Sequence, residues 1–390
     1  MGPVEGELPH EADRKTLTPE ELEVFRKRLM EILGGYGIRL EEEGLVHSRS
    51  PREVMRLLAR HANPAPKPGL EGYFARPQEV DPEGIRPVLR PVETALEREI
   101  FRHALSFWSV PVSSGYGRRL RYLVWDEANG KVVGILGLSD PVIGLGVRDR
   151  FLGWDKEARK ERLWHGMTAY VLGAVPPYNQ LLGGKLVASL ALSHQVVADF
   201  QERYGGRRSQ IRGVVRPPVL AFVDTMGAFG KSAIYNRLRG WRFVGYTEGQ
   251  THHHLSANGA FEVLQELLER AGRTEVLRRH KFGHGPNWKF RVISQGLRLL
   301  GLSPEAFSLG FRRGYYFAPL VENWQGFLAR GEVPGRVLAW EVDEAVAYWR
   351  ERWLLPRLRG KEAEGVQHNP PQAGRRLVGL FPLAGGASGG

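Results

Sequence analysis

The sequence predicts a mixed α/β fold, in which helices cross over a sheet of mixed strand direction. Two observations predict it. Between about residue 120 and residue 247, short stretches with the composition of strands alternate with stretches that have the apolar spacing of helices. The regions before and after this central part read as mainly helical, which predicts an α/β core with helical additions.

The N-terminal region, residues 1–68, is predicted to be helical. In LTPEELEVFRKRLMEILGG a capping Thr18 precedes a proline, and apolar residues follow at helical spacing until a double glycine ends the pattern. SPREVMRLLARHA repeats this arrangement with Ser50 as the cap and Pro51 at the first helical position. Residues 69–98 are rich in proline and predict a linker that runs over the surface.

Residues 99–258 are predicted to form the α/β domain. LRYLVWD and VVGILGLS, joined by the turn EANGK, predict a β-hairpin, and MTAYVLGAVPP predicts a third strand. GGKLVASLALSHQVVADFQERYG has the periodicity of a helix. A buried strand PPVLAFVDT, a short helix KSAIYNRLRG and a closing strand WRFVGYTEG complete the predicted sheet.

Residues 259–345 are predicted to be a basic C-terminal extension of helices and one aromatic strand. NGAFEVLQELLERAGR has helical spacing, and the stretch that begins at NWKFRV predicts two short helices before the strand. The tail, residues 360–390, is rich in glycine, proline and alanine and is predicted to be flexible.

The chain carries an excess of positive charge. Its 390 residues include 55 Lys and Arg against 43 Asp and Glu, a formal net charge of +12, and the pI is about 9.9. Most of the surplus is arginine, whose guanidinium makes bidentate contacts with phosphate, so a nucleic-acid partner is expected, with DNA favoured. The alternatives are a basic surface that binds nothing, as in a thermophile protein, and an anionic small ligand.

The sequence also predicts a cytoplasmic protein without a membrane partner. No apolar run approaches the roughly 20 residues that a bilayer helix needs, and the first residues lack the apolar core of a secretion signal. The chain has no cysteine, which removes disulfides, thiolate metal sites and cysteine nucleophiles.

Two resemblances extend this interpretation. The order of the central elements, with SAIYNRLRGWRFVGYTEG as last helix and strand, resembles the core of the GNAT acetyltransferases. Four blocks, RYLVWDEANGKVVGILGLSDPVIGLGVRDRFLGWD, PPYNQLLGGKLVASLALS, SAIYNRLRGWRFVGYTEGQTHHHLS and FGHGPNWKFRVISQGLRLLGL, resemble the DruA family of the Druantia anti-phage system over roughly residues 90–330. The GNAT resemblance implies an acetyl-CoA site. The DruA resemblance implies phage-defence loci or mobile genetic elements, with their other proteins as partners, and no particular reaction.

The start of the long helix is the candidate anion site, because a GNAT binds the pyrophosphate of acetyl-CoA on backbone N–H groups there. Here one glutamine and two glycines fit that pattern, while Lys185 stands where the last small residue is expected. Acetyl-CoA, a nucleic-acid phosphate and simple close packing are the three alternatives. The candidate phosphate-binding residues of this loop are Tyr178, Asn179, Gln180, Gly183, Gly184 and Lys185.

Four side chains are candidates for catalysis. Tyr235 falls where a GNAT places the tyrosine that protonates the leaving thiolate. Asp224 ends an apolar strand, and with Asp149 it supplies carboxylates for Mg²⁺ in a nuclease or transposase-like DNA strand transferase. His254 follows the closing strand and is a candidate for substrate contact. A structural role is the alternative for each of the four, and the cofactor stays open between Mg²⁺ and acetyl-CoA.

The other candidates are cations with interleaved aromatic residues. In GVRDRFLGWD, Arg148 and Arg150 share one side of an extended segment, which predicts either a phosphate fork or an internal ion-pair network around Asp149. Further basic stretches suit single strands or distorted duplex, unless their aromatic residues point inward. The remaining candidates are Arg207, Arg208, Arg212, Lys231, Asn236, Arg237, Lys281, Trp288, Lys289 and Arg291.

Overall fold

The computed structural model describes residues 15–41, 44–208, 213, 215, 219–247, 253–256, 259–277, 286–307, 309 and 312–363. The chain divides into two compact units. Unit 1 comprises Met1–Ala62, Ser109–Pro111 and Gln250–Phe311, and unit 2 comprises Asn63–Trp108, Val112–Gly249 and Arg312–Gly390. The domain boundaries drawn from the sequence stay a prediction.

The regular elements are numbered along the chain. The strands are β1 (Ile38–Glu41), β2 (Gly44–His47), β3 (Pro87–Pro91), β4 (Arg119–Asp126), β5 (Lys131–Ser139), β6 (Gly166–Ala174), β7 (Phe222–Met226), β8 (Arg242–Tyr246) and β9 (Gly314–Pro319). The α-helices are α1 (Pro19–Gly34), α2 (Pro51–Ala62), α3 (Ala95–Ala104), α4 (Gly146–Leu152), α5 (Lys156–Arg162), α6 (Gly183–Leu190), α7 (His194–Tyr204), α8 (Ala260–Arg270), α9 (Thr274–Leu277), α10 (Pro286–Leu299), α11 (Trp324–Arg330), α12 (Val342–Trp349) and α13 (Leu355–Ala363).

Unit 1 is mainly helical and contains the helices predicted near the N-terminus. The predicted cap of α1 is confirmed, because the Thr18 hydroxyl accepts a hydrogen bond from the Glu21 N–H and the Glu21 carboxylate accepts one from the Thr18 N–H. The apolar face of α1 is buried, and α8 packs against it. A short antiparallel hairpin of β1 and β2 follows α1, and this hairpin had no clear signal in the sequence.

Unit 2 contains a seven-stranded sheet with the strand order β3-β4-β5-β6-β7-β9-β8. β6 and β7 pair in parallel, and the other neighbours pair antiparallel. One face packs against α6, α7 and α12, and the other packs against α3, α4 and α11. The mixed α/β fold class predicted from the sequence is therefore confirmed, as is the hairpin of β4 and β5.

The two edges of this sheet differ in how they are covered. β3 begins and ends with a proline, and the Arg350 guanidinium donates hydrogen bonds to the carbonyls of Glu83 and Ile85 just before it. At the opposite edge, every residue of β8 is exposed or half-buried. The sheet is therefore more open to solvent along β8 than along β3.

A β-bulge changes the direction of the side chains within β8. Phe243 pairs with Tyr316 and Tyr246 pairs with Gly314, so Val244 is the extra residue on the β8 side. Two partners on β9 that are two positions apart face the same way. Phe243 and Tyr246 therefore project from the same face of the sheet although they are three residues apart.

Several elements differ from the sequence interpretation. The proline-rich stretch assigned to a linker contributes β3. The predicted long helix is divided into α6 and α7. The chain turns between them at Ser193, where the His194 N–H donates to the Trp340 carbonyl at 2.9 Å. KSAIYNRLRG forms turns, not a helix. The Lys185 ammonium donates hydrogen bonds to three carbonyls of this segment, which a helix would use for its own hydrogen bonds. Arg237 has a φ of 57°, in the left-handed region, which a right-handed helix does not contain.

Within the described residues, no helix has the length and apolar character that crossing a membrane requires.

Candidate nucleic-acid interface

Two aromatic side chains and a lysine lie together at the β8 edge of unit 2, next to the backbone of an exposed arginine. Phe243 is 36% exposed and Tyr246 is 39% exposed, and their ring centroids are 5.2 Å apart. The Lys231 ammonium lies 4.5 Å from the centroid of the Phe243 ring. Arg312 is exposed, and its carbonyl accepts a hydrogen bond from the N–H of Gly230. We name this surface the β8 patch and define it as Lys231, Asn236, Phe243, Tyr246 and Arg312.

Tyr316 on β9 contacts both the Lys231–Asn236 turn and Phe243 of the β8 patch. Its hydroxyl accepts a hydrogen bond from the Ser232 N–H at 2.7 Å and lies 3.3 Å from the Asn236 side-chain oxygen. Its ring centroid lies 5.5 Å from that of Phe243. Burial raises the pKa of Tyr316, so the hydroxyl stays protonated at neutral pH. One tyrosine thus holds the Lys231–Asn236 turn next to the edge strand.

The chain around the β8 patch is positively charged. Residues 225–247 contain no Asp or Glu. One cation of this stretch, Arg239, lies 3.8 Å from the Glu344 carboxylate, but both groups are exposed and such a pair offsets little of the charge. The exposed cations of the stretch are Lys231, Arg237, Arg239 and Arg242. This arrangement can attract and hold phosphate groups.

Asp224 belongs to a buried network on the sheet face that packs against α4 and α11. It is 1% exposed, and its carboxylate accepts hydrogen bonds from the Thr168 hydroxyl and, at 2.9 Å, from the Tyr315 hydroxyl. Burial raises the pKa of Asp224, although the nearby Arg148 charge opposes the rise. The burial and hydrogen bonds of the Asp224 carboxylate favour a structural role, and its charge depends on pH.

We expect Asp224→Asn to change how stability depends on pH. The folded-state pKa of Asp224 lies above 3.8, so its contribution to stability is present below pH 3.8 and is lost as the pH rises through the raised pKa. An asparagine does not titrate. The free energy of unfolding of the natural chain minus that of the variant should therefore fall from pH 3.8 upward, by at most about 1.4 kcal/mol per pH unit. Urea unfolding over this range measures it, and a constant difference would contradict the assignment.

Arg148 and Asp149 form an interior ion pair on α4. Arg148 is fully buried, and its guanidinium contacts Asp149 Oδ1 at 2.8 Å and the carbonyls of Val142 and Ile143 at 2.7 and 3.0 Å. Arg159 donates to the other Asp149 oxygen at 2.8 Å. Of the two alternatives for this motif, these contacts fit the internal network. Arg150, two residues on, is exposed.

The loop before α6 is filled by protein contacts. A Cβ on Gly183 would lie 2.8 Å from the Tyr178 carbonyl oxygen, and one on Gly184 would lie 3.3 Å from Ile234. Both glycines therefore allow close packing. Tyr178 is buried and its hydroxyl donates to Asp126 at 3.0 Å, while Asn179 is exposed and Gln180 half-buried.

Lys185 points into the same packed region. Its ammonium donates to the carbonyls of Ala233, Ile234 and Asn236 at 2.8, 3.0 and 2.8 Å, and it lies 3.9 Å from the ring centroid of Trp353. Burial lowers the pKa of Lys185 to about 8. These contacts hold the Lys231–Asn236 turn, which carries two residues of the β8 patch.

Tyr235 also lies in the interior of unit 2. It is 6% exposed, and its ring lies between those of Trp241 and Tyr316, with centroid distances of 4.9 and 4.8 Å. Burial raises its pKa to about 12, so the phenol stays protonated at neutral pH. A general acid must also reach a substrate, and the rings on either side of Tyr235 favour a packing role.

The remaining candidates are spread over both units. In unit 1, His254 is buried, Trp288 is 6% exposed with its ring 5.3 Å from that of Phe261, and Lys289 and Arg291 are exposed. In unit 2, Arg207 and Arg208 are exposed. Arg212 and Lys281 lie outside the described residues. Among the residues that the structure describes, no three His, Asp or Glu side chains are grouped so that they could hold a metal ion.

The structure thus brings Lys231 and Asn236 together with two aromatic residues that the sequence reasoning did not select, Phe243 and Tyr246. A signal for them exists. Gly245 interrupts the strand pattern WRFVGY, and a glycine inside a strand indicates a bulge. With a bulge placed there, the two rings fall on the same face.

The comparisons with known proteins agree on one family. The family model described as "Druantia protein DruA" matches residues 40–330. A protein from Escherichia coli (strain UMEA 4076-1), described as "Druantia protein DruA", is 40% identical over 292 residues, which cover 73% of this chain and 72% of that protein. No solved structure matches the chain.

Proposed function

The chain belongs to the DruA family of the Druantia anti-phage system, and from this membership we propose that it is a DNA-binding component of such a system. The role in phage defence follows from the family. The contact with DNA is proposed from the β8 patch, where exposed cations and aromatic rings lie on a stretch without carboxylates. Other proteins of the same defence system are the expected partners.

The charge of the β8 patch supports this ligand. Lys231 follows Gly230 in the chain, and the Gly230 N–H donates a hydrogen bond to the Arg312 carbonyl. The backbones of Lys231 and Arg312 are therefore adjacent. Each cation that neutralises a DNA phosphate releases condensed counterions, which makes the affinity depend steeply on salt. The net charge of +12 adds a long-range attraction that steers the protein toward nucleic acid.

The two enzymatic alternatives have less support from the contacts of their candidate residues. Acetyl-CoA binding would need an open helix start, whereas Lys185 in the first turn of α6 contacts three carbonyls of the Lys231–Asn236 turn, and the Trp349 indole N–H donates to the Leu182 carbonyl at 3.1 Å. A nuclease or strand transferase would need carboxylates that reach a phosphate, whereas Asp224 is 1% exposed and Asp149 is held by two arginines. DNA binding draws on groups that are already at the surface.

The test is binding of the full-length protein to labelled double- and single-stranded DNA over a salt series, with acetyl-CoA as competitor. We expect tight binding that weakens steeply with salt and is unchanged by acetyl-CoA. Lys231→Gln with Arg312→Gln should weaken binding to all sequences alike and lower the magnitude of the log–log salt slope by about 2, since two phosphate contacts are lost.

The matched control is Lys156→Gln, because Lys156 is an exposed lysine on α5 outside the β8 patch. It should change the slope by less than the double variant. In a host that carries the native defence locus, the double variant should also reduce protection against phage. Absent binding, or binding that does not respond to salt, would overturn the proposal.

A further inference from the structure

We infer that the β8 patch is a base-stacking platform for single-stranded nucleic acid, an inference that rests on the nucleic-acid binding proposed above. The proposed function requires only cations that meet phosphates. The inference concerns the two aromatic rings, and it specifies that unpaired bases are the part of the ligand that the rings contact.

The bulge in β8 is the first argument. A regular strand would send Phe243 and Tyr246, three positions apart, to opposite faces of the sheet. The extra residue Val244 places both rings on the face of Tyr316. Val244 instead packs with the core under the other face, where a Cβ on Gly245 would lie 3.2 Å from Val147. The chain thus keeps one apolar side chain half-buried against that core while it presents two rings at an edge.

The exposure of the rings is the second argument. Phe243 and Tyr246 are each more than one-third exposed, whereas Tyr315, Tyr316 and Phe317 on the neighbouring strand β9 are at most 1% exposed. Aromatic rings at a sheet edge beside cations form the kind of surface on which bases stack, while the cations follow the phosphates. In duplex DNA the base faces are covered by their neighbours, and a base must leave the stack before a ring can reach it.

The position of Lys231 is the third argument. Its ammonium rests on the Phe243 ring, and a cation on an exposed ring contributes only about two- to five-fold to an equilibrium constant. Stacking of one base contributes about 5- to 150-fold. A base can therefore displace Lys231 from the ring, and the freed ammonium can then contact the phosphate of the same nucleotide.

The experiment compares one labelled mixed-sequence oligonucleotide as a single strand and as a duplex with its complement, over the same salt series and with the full-length protein. The natural chain should bind the single strand more tightly. Phe243→Leu keeps an apolar side chain but removes the flat ring, and should weaken single-strand binding about 5- to 50-fold without changing the salt slope. Phe243→Tyr restores a ring and should bind within about two-fold of the natural chain.

The matched control is Phe107→Leu, since Phe107 is an exposed aromatic residue of unit 2 outside the β8 patch and should leave binding unchanged. Thermal unfolding of each variant checks that it folds. If the duplex binds as tightly as the single strand, or if Phe243→Leu leaves binding unchanged while Lys231→Gln lowers the salt slope, the inference fails and the proposed function stands. If no nucleic acid binds, both fail. If Phe243→Leu changes only the molar mass in light scattering, the edge joins two copies and the inference is overturned.

Discussion

Replacement of Arg148 by methionine is expected to lower the free energy of unfolding by about 3 kcal/mol. The guanidinium is fully buried and contacts the Asp149 carboxylate and the carbonyls of Val142 and Ile143. Removal of one partner of a buried ion pair typically costs about 3–5 kcal/mol, because a charge is left in the interior. Arg159 still contacts Asp149, which places the expected cost at the lower end of that range.

The neighbouring Arg150 provides a matched control. It stands two residues further along the same helix and is exposed, so Arg150→Met should change the free energy of unfolding by no more than about 0.5 kcal/mol. Urea unfolding followed by circular dichroism measures both variants. Equal stabilities for the two would mean that Arg148 is not an interior ion-pair partner, and the phosphate-fork interpretation of the motif would regain support.

Replacement of Trp349 by alanine is expected to cost about 3–5 kcal/mol. This side chain is 1% exposed at the end of α12, and its indole N–H donates to the Leu182 carbonyl directly before α6. The alanine variant leaves a cavity and removes one of the two hydrogen bonds that the Leu182 carbonyl accepts, the other of which comes from the Lys185 N–H. Its unfolding midpoint in urea should fall accordingly.

Trp349→Phe separates the two contributions, because it keeps most of the apolar volume and removes the N–H group. We expect a loss of about 1–2 kcal/mol, the usual effect of one missing hydrogen bond together with a small void. The same variants test the loop before α6 as a ligand site. If Trp349→Ala is as stable as the natural chain and gains affinity for acetyl-CoA, then Trp349 acts as a removable cover, and the acyltransferase hypothesis becomes the stronger one.

The sequence predicted strands and helices best where the local signals were strong. β4 and β5 were predictable because an Asn-Gly turn lies between two apolar runs. α1 was predictable because Thr18 and the proline after it precede an apolar face. β3 was missed because it begins and ends with a proline, which argues against a strand in general but is tolerated in an edge strand. The break between α6 and α7 depends on a contact with Trp340, which is distant in sequence.

The candidate site was less predictable than the sheet. A residue can bind a ligand only if it is exposed, and exposure depends on the fold. The spacing of Arg148 and Arg150 suggested two equivalent cations, but α4 buries the first and exposes the second. The charge of Lys185 made it a candidate for phosphate binding, but its ammonium donates hydrogen bonds to three backbone carbonyls. Phe243 and Tyr246 lie in a block that resembles the DruA family, but their spacing of three predicts opposite faces of a regular strand, and only the bulge between them places them together. Such placement depends on pairing with β9, which lies far along the chain.

The order of the strands has a consequence for the synthesis of this protein. β9 lies between β7 and β8 in the sheet, yet the chain reaches it only after the residues from Gln250 to Phe311, which belong to unit 1. While the ribosome makes those residues, β7 and β8 have no partner on the side that β9 will occupy, and Asp224 lacks the Tyr315 hydroxyl. Unpaired edges of this kind are open to wrong pairing. The nascent chain is therefore most exposed to aggregation late in translation, when most of unit 2 has already emerged.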